Sequence, residues 1–555
     1  MSATLVPRAY SGFRGVDFRG EEINLVRSPD SLNVWKDYKE IDSIRTRPGM
    51  ELLSSFNETV FGVFFYNGMI LVHSGTKLYK IVNGVTLELY TGVNAARSDA
   101  FIFNNVWYFK DGVNYLQYDG ENIGSVVGYV PTTSIGRKPS GGGTINEDVN
   151  MLSDWRINTF IGDDESKEFY LDSPTIEEVS EVLINGETVT GWSCVAEEGK
   201  VIFSSAPSSP LTDGQDNVSI KFKKSIGNDI RNKINNCTLL QVFDNRVFFS
   251  GNSNYPNTIW HSSLNDPSYC SDLDYYDEGL DYAKVKGMVA GNNVLWVFKE
   301  PSQANTTVFY HTPTIDSEYG KIYPNTHSSI STGCVGKAIN FNDDIVFFSD
   351  RGMEGINGDI TTEQVIAHRS TLVDRKLIAE SNYEDMILEE WEGYLIVIID
   401  KKVYLADSRA VFTNEDHIEY EWFYWELNKK ITCAKVNKGV LYLGTEDGVY
   451  TMTDMESDVE SYWVTPKDKF KYPQYMKTTN KKGCVVEAEG DVSVCAKTDK
   501  TDFELISTHK DITDKFVCRI KRKKFKDIQL KFYSDTRFVL ESATLECFVG
   551  GYLKR

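Results

Sequence analysis

The chain has 555 residues, 41 % of them hydrophobic and 13 % aromatic, which excludes wholesale disorder and suffices for about two to four domains. Its 80 acidic and 59 basic residues leave a net charge of −21, which excludes a protein that wraps DNA by neutralising phosphates over its whole surface. Residues 461–555 carry 20 Lys+Arg and 13 Asp+Glu, a net of +7, leaving −28 on residues 1–460, so a distinct C-terminal module is expected.

Residues 1–55 read as an N-terminal extension. The opening MSATLVPRAYSGFRGVDF has no apolar stretch of the signal-peptide kind. A short pattern then recurs: a polar Asn/Asp/Gly turn followed by a dense run of β-formers. Its turns are Asn67-Gly68, Asn104-Asn105, Asp244-Asn245, Asn292-Asn293, Asn342-Asp343, Glu392-Gly393 and Lys438-Gly439. Such pairs tolerate the positive φ that tight hairpins demand. Several units continue into a second hairpin ending in Leu-Tyr or Val-Tyr, as at Leu78-Tyr79, Val403-Tyr404 and Val449-Tyr450. Turns recur about every 37–50 residues, apart from one gap near 140, and about 40–45 residues make one propeller blade. The fold class expected is therefore all-β, a β-propeller of about six to eight blades over residues 56–139 and 231–455. A β-sandwich of unrelated hairpins is the competing reading, and the even spacing speaks against it.

The gap is assigned to an inserted β-sandwich-like domain at residues 140–230, opening on Ser140-Gly141-Gly142-Gly143 as a flexible linker. Its expected strands centre on Phe169–Leu171, Val182–Ile184, Val201–Phe203 and Val218–Phe222. Around Gln364–Ser381 at most one or two short helices are expected. The longest apolar run, Tyr394–Ile399, has a strand's length and is far too short to cross a bilayer. Residues 456–555 form the expected C-terminal β-rich module.

Catalytic signatures are missing from the sequence. Seven isolated histidines and nine dispersed cysteines form no zinc spacing, and no nucleophile elbow or phosphate loop occurs. The scattered cysteines read as reduced thiols of a protein made in a cytoplasm. Phe348-Ser349-Asp350-Arg351-Gly352 and Thr445-Glu446-Asp447-Gly448 echo the Asp-box of glycosidase propellers but break before its Thr-Trp. The acidic runs Gly162–Glu165 and Asp272–Asp277 lack the spacing of an EF-hand calcium loop. No enzyme, metal or cofactor is expected. One basic run stands out as a candidate partner-binding surface: Arg519, Lys521, Arg522, Lys523, Lys524 and Lys526. A solvated strand edge guarded by lysines explains it equally well.

Two stretches carry a family resemblance. Ser31-Leu32-Asn33-Val34, followed by Ile44-Arg45-Thr46-Arg47-Pro48-Gly49-Met50 and by Gly75–Tyr79, resembles the opening of the packaged-DNA stabilisation, or tail nozzle, proteins of short-tailed phages. The series Gly251-Asn252 to Asn257, Asn265-Asp266-Pro267 and Leu295-Trp296-Val297-Phe298-Lys299-Glu300 is similar to loops of the same proteins. The resemblance implies a non-enzymatic virion protein of the tail, made in the host cytoplasm. It implies a homohexamer beneath the portal and adaptor that extends the DNA exit channel and retains packaged DNA. DNA would pass without sequence-specific binding. A tail protein that binds a receptor or carbohydrate, and cleaves it in some cases, is the alternative.

Overall fold

The computed structural model describes residues 4–39, 42–303, 306–317, 320–357, 365–414, 417–453, 458–520 and 524–552. Seven four-stranded antiparallel sheets among these residues make a seven-bladed propeller. The inner strands are Val60–Tyr66, Asp99–Phe103, Leu239–Phe243, Val285–Gly291, Ala338–Phe341, Ile387–Trp391 and Cys433–Asn437. Each lies against the next, and the last returns to the first, so the ring is closed.

All seven turns anticipated from sequence join the inner strand of a blade to its second strand. Both central residues have positive φ in every one, from Asn67 at 46° and Gly68 at 79° to Lys438 at 50° and Gly439 at 78°. That is the turn whose twist matches a hairpin, and Asn, Asp and Gly reach it at least cost. The second strands are sandwiched on both faces by neighbouring blades and lack the usual polar alternation. Val294–Lys299 and Tyr394–Ile399 are buried at every position. Seven inter-blade cores result, one for each seam.

The ring closes on a borrowed strand. Blade 7 takes Cys433–Asn437, Val440–Gly444 and Gly448–Thr453 from one end of the propeller region, and its outer strand, Gly49–Ser55, from the other. Just before that strand Arg47 is buried, and burial lowers its pKa to about 10. Its Nε donates to Asn33 Oδ1 at 3.0 Å, its Nη1 to the Pro48 carbonyl at 2.9 Å, and its Nη2 to the Glu426 carbonyl at 3.4 Å. Asn33 Oδ1 also accepts from the Glu426 amide, and Asn33 Nδ2 donates to the Glu460 carbonyl. One Asn–Arg pair thus joins the N-terminal segment, blade 6 and the start of the C-terminal module.

The N-terminal extension and the C-terminal module are one body. Thr4–Tyr10 pairs with Phe538–Tyr552, Ser31–Leu32 with Ser461–Val464, and Ile44–Thr46 with Phe538–Tyr552, in an eleven-stranded sheet built around the long strand Tyr475–Thr498. The body shares a core with blades 6 and 7: Trp35 stacks on Trp391 with ring centroids 5.3 Å apart and meets Trp425 edge-on at 5.7 Å.

The insertion begins earlier than its glycine signal. Thr132–Arg137 already belongs to its six-stranded sheet, and Ser140–Gly143 is the turn leading to Thr144–Ile145 rather than a linker. A three-stranded sheet completes it, and Phe160, Phe169, Val182, Val201 and Phe222 fill its own core. Asn150, fully buried, holds it to the propeller. Its Nδ2 donates to the Tyr129 and Ser268 carbonyls at 2.9 and 2.8 Å, and its Oδ1 accepts from the Leu152 and Cys270 amides at 3.0 Å. Met151 and Leu152 then pack into the core between blades 2 and 3. Helix is confined among the described residues to α1 (Asn228–Asn235), α2 (Asp374–Leu377) and two single 3₁₀ turns. Part of the Gln364–Ser381 stretch is a strand, Val365–His368, and Gln364 lies outside the described residues.

Two outcomes follow. Arg47→Met should cost about 3–5 kcal/mol in urea unfolding, since it leaves Asn33 and buried carbonyls without their donor; Arg47→Lys should recover only part of it. Asn150→Leu should cost about 2–4 kcal/mol and speed proteolytic release of the insertion, with the propeller fragment surviving. Wild-type stability in either variant contradicts the role given to its side chain.

Candidate functional site

The inner strands all begin on one face of the propeller, and charged side chains gather where they start. Arg97 precedes the inner strand of blade 2 and reaches across the axis to blade 6. There its Nη1 donates to the Met386 carbonyl at 3.0 Å and, more distantly, to that of Asp385 at 3.5 Å. The residue after it is held by blade 1, where Ser98 Oγ lies 2.8 Å from His73 Nδ1 and His73 Nε2 lies 3.0 Å from the Gly75 carbonyl. Burial lowers the His73 pKa to about 4, so the imidazole is neutral at pH 7.

Around Arg97 stand Asp99 of blade 2, Lys337 of blade 5, Glu389 of blade 6 and Lys435 of blade 7. Lys435 Nζ meets Glu389 Oε1 at 2.9 Å. Burial raises the Glu389 pKa; for Lys435 burial acts the other way, and Glu389 outweighs it, raising the pKa. Asp99 is reached by solvent along the axis yet surrounded by protein, and this enclosure raises its pKa against the pull of Lys435. Lys337 makes no ion pair among the described residues, and burial, reinforced by the nearby Arg97 charge, pushes its pKa down to about 8. The axis is thus obstructed by a side chain spanning opposite blades and lined with both signs of charge. Nothing in the repeat pattern announced this cluster; its trace in the sequence is a charged residue three to six positions before the turn in several repeats, such as Asp99, Lys286, Lys337, Glu389 and Lys435.

The basic run lies elsewhere, on the edge of the C-terminal sheet. Lys524–Phe525 pairs with Lys477 and Thr478 of the long strand. Arg519, Lys524 and Lys526 are exposed, while Phe525 between them is buried. Lys477 Nζ, itself buried, donates to the Lys526 carbonyl at 2.7 Å, and the Lys526 amide donates to Asp499 Oδ1 at 2.7 Å. The backbone at Lys524–Lys526 is therefore pinned while the Lys524 and Lys526 side chains face water. Lys521, Arg522 and Lys523 lie outside the described residues.

Other sequence candidates have structural duties. Ser349–Gly352 and Thr445–Gly448 are turns between the second and third strands of blades 5 and 7, where Thr445 Oγ1 donates to the Gly448 carbonyl at 2.9 Å. Asp163 accepts from the Ser166 amide within its own turn. His311 is buried against Glu278 at 2.7 Å, and His368 lies 2.6 Å from Asp374 and 3.2 Å from Glu354. Among the described residues no three His, Cys, Asp or Glu converge as a metal site, all nine cysteines are free thiols, and no helix is long and apolar enough to cross a membrane.

No protein-family profile and no curated protein matches the chain. Solved structures similar to it include BamB from Moraxella catarrhalis, at 11 % identity over 76 % of this chain and 96 % of that one, with a TM-score of 0.33. Kluyveromyces lactis Hsv2 is similar at 9 % identity over 67 % of this chain and 98 % of that one, with a TM-score of 0.26. The extracellular domain of a putative one component system from B. thetaiotaomicron is similar at 10 % identity over 92 % of this chain and 79 % of that one, also with a TM-score of 0.26. The propeller assignment rests on the seven sheets themselves.

Lys337 supplies a pH signature. Its folded pKa of about 8 lies below the ordinary 10.5, so its charge opposes folding fully below pH 8, and the penalty fades as pH rises to 10.5. In phosphate-free buffer Lys337→Met should be more stable than wild type at pH 7 by about 1–3 kcal/mol, with the difference closing by pH 10.5. A less stable variant at pH 7 would show that Lys337 has a favourable partner in the fold.

Proposed function

We propose that the protein is a non-enzymatic structural component of a phage tail, assembling as a ring that closes and extends the DNA exit channel. The observation that carries the reading is the division of charge over the body. Residues 1–46 hold seven acidic and seven basic side chains, so the module they share with residues 461–555 keeps its +7, against −28 on the remainder. Opposite charge at separate places on one subunit favours head-to-tail contacts between copies, and such contacts close into rings. A lumen bordered by the acidic propellers would repel phosphates, letting DNA slide rather than adhere. Because Arg97 crosses the propeller axis, the conduit in this reading runs between subunits.

The resembling residues support it by having structural work to do. Asn33 and Arg47 close the propeller, the Asp266–Pro267 turn adjoins the Asn150 anchor, and Asn252 donates to the carbonyls of Asn232 and Lys233 at the end of α1. Gly251 has φ of 77°, and a Cβ there would lie 2.4 Å from Thr238 Oγ1.

Light scattering of the purified protein should report a hexamer, and electron microscopy a ring with an open centre. A monomer at all concentrations would overturn the reading, and a trimer that binds or cleaves glycan would favour the carbohydrate-binding alternative. Replacing Arg519, Lys524 and Lys526 together by Glu should weaken assembly most at low salt, because screening relieves the mismatch, while leaving the melting temperature of the subunit nearly unchanged. Unaltered assembly would remove this surface from the interface.

A further inference from the structure

On the face where the inner strands begin, a cavity of about 250 Å³ opens beside the axis between blades 3, 4, 5 and 6. Its polar lining is dominated by Lys284, Lys286 and Lys337, with Asn252, Ser253 and Glu384. The single carboxylate, Glu384, lies 3.1 Å from Lys286 Nζ, and its side chain is 82 % exposed. An exposed pair of this kind is weak and easily exchanged. Lys284 and Lys337 make no ion pair among the described residues. Arg97 adds a further positive charge at the axial side of Lys337, and Asp99 attracts Lys337 without reaching ion-pair distance. The wall is firm, since Asn252 Nδ2 is held by the Asn232 and Lys233 carbonyls at 3.0 Å each.

Lys284 is exposed while Lys286 and Lys337 are half-buried, and like charges lining one open cavity repel one another. An anion completing the site would relieve that repulsion. Three ammonium groups against the one carboxylate of the lining leave a net charge of +2, which a dianion balances and a monocarboxylate does not. Lysine ammoniums act on phosphate as point charges and demand no bidentate geometry. The volume admits a phosphate group and a small substituent.

We propose that this cavity is a binding site for a phosphate dianion, free or as a monoester, held by Lys284 and Lys337 and joined by Lys286 when Glu384 swings outward. The site is separate from the basic run and from the contacts between copies considered above, and it does not depend on either.

Isothermal titration of the full-length protein with inorganic phosphate, in a phosphate-free buffer of constant ionic strength, tests it. Wild type should bind saturably at one site per chain, and acetate should bind at least about ten-fold more weakly. Lys337→Met and Lys284→Met should each weaken phosphate binding by about ten-fold or more, and Glu384→Gln should strengthen it. Circular dichroism of the variants should match wild type, so that lost binding is not lost fold. Titration with a nucleoside monophosphate separates the two sources: binding of both ligands supports a monoester site, and binding of the ion alone supports free phosphate. Absence of saturable binding to either ligand in wild type, or wild-type affinity in both lysine variants, would overturn the proposal.

Discussion

A propeller is a ring of sheets with a single weak seam, and the rest of this structure depends on how that seam is held. Gly49–Ser55 supplies the missing outer strand of blade 7, so opening the ring requires breaking a whole strand pairing. The Asn33–Arg47 pair adds a polar lock at the strand's start, and the Trp35–Trp391–Trp425 cluster adds apolar contact behind it. Aromatic clusters of this kind contribute beyond their buried area. The cost is a cationic guanidinium inside the protein, tolerable because its donors meet carbonyls and an amide oxygen. The seam is therefore specified by geometry as well as by burial.

The closed ring has a second consequence at its centre. Inner strands can approach the axis only where side chains from different blades are mutually compatible, and here compatibility is electrostatic. Lys435 with Glu389 neutralises one side of the axis, and Arg97 Nη1 donates to the backbone of the opposite blade. Lys337 makes no ion pair among the described residues. A group kept against the stability of its host is the kind of feature that marks a binding site, and the same residue lines the lysine-rich cavity.

How much of this was legible depended on the range of the interaction responsible. The blade hairpins were readable because a tight turn is a local event. The positive-φ pairs are Asn, Asp or Gly except at Glu392 and Lys438, and the doubly packed strand after each turn is mostly apolar. The insertion was visible as an interruption of the period, but its start was misplaced. Gly141–Gly143 looked like a linker, whereas Thr132–Arg137 pairs in parallel with Trp155–Phe160, a relation with no local signature. The union of residues 4–46 with 461–552 into one sheet was hidden for the same reason. The axial cluster was hidden more deeply, since Arg97 and Lys435 are neighbours only because the ring closes. The basic run was conspicuous as composition, yet composition said nothing about Lys477 holding the Lys526 carbonyl.

The pairing of Thr4–Tyr10 with Phe538–Tyr552 has a consequence for biogenesis. During synthesis Thr4–Tyr10 must wait, unpaired, for a partner that begins at Phe538, and Gly49–Ser55 waits likewise for Gly448–Thr453. Blades 1 to 6 are each built from contiguous chain apart from the insertion and can mature as they leave the ribosome, whereas blade 7 and the eleven-stranded sheet must await strands far downstream. In the interval two solitary strands present open edges, which are prone to pairing with the wrong chain. A chain interrupted between Thr453 and Phe538 would seal blade 7 and leave only the Thr4–Tyr10 edge bare.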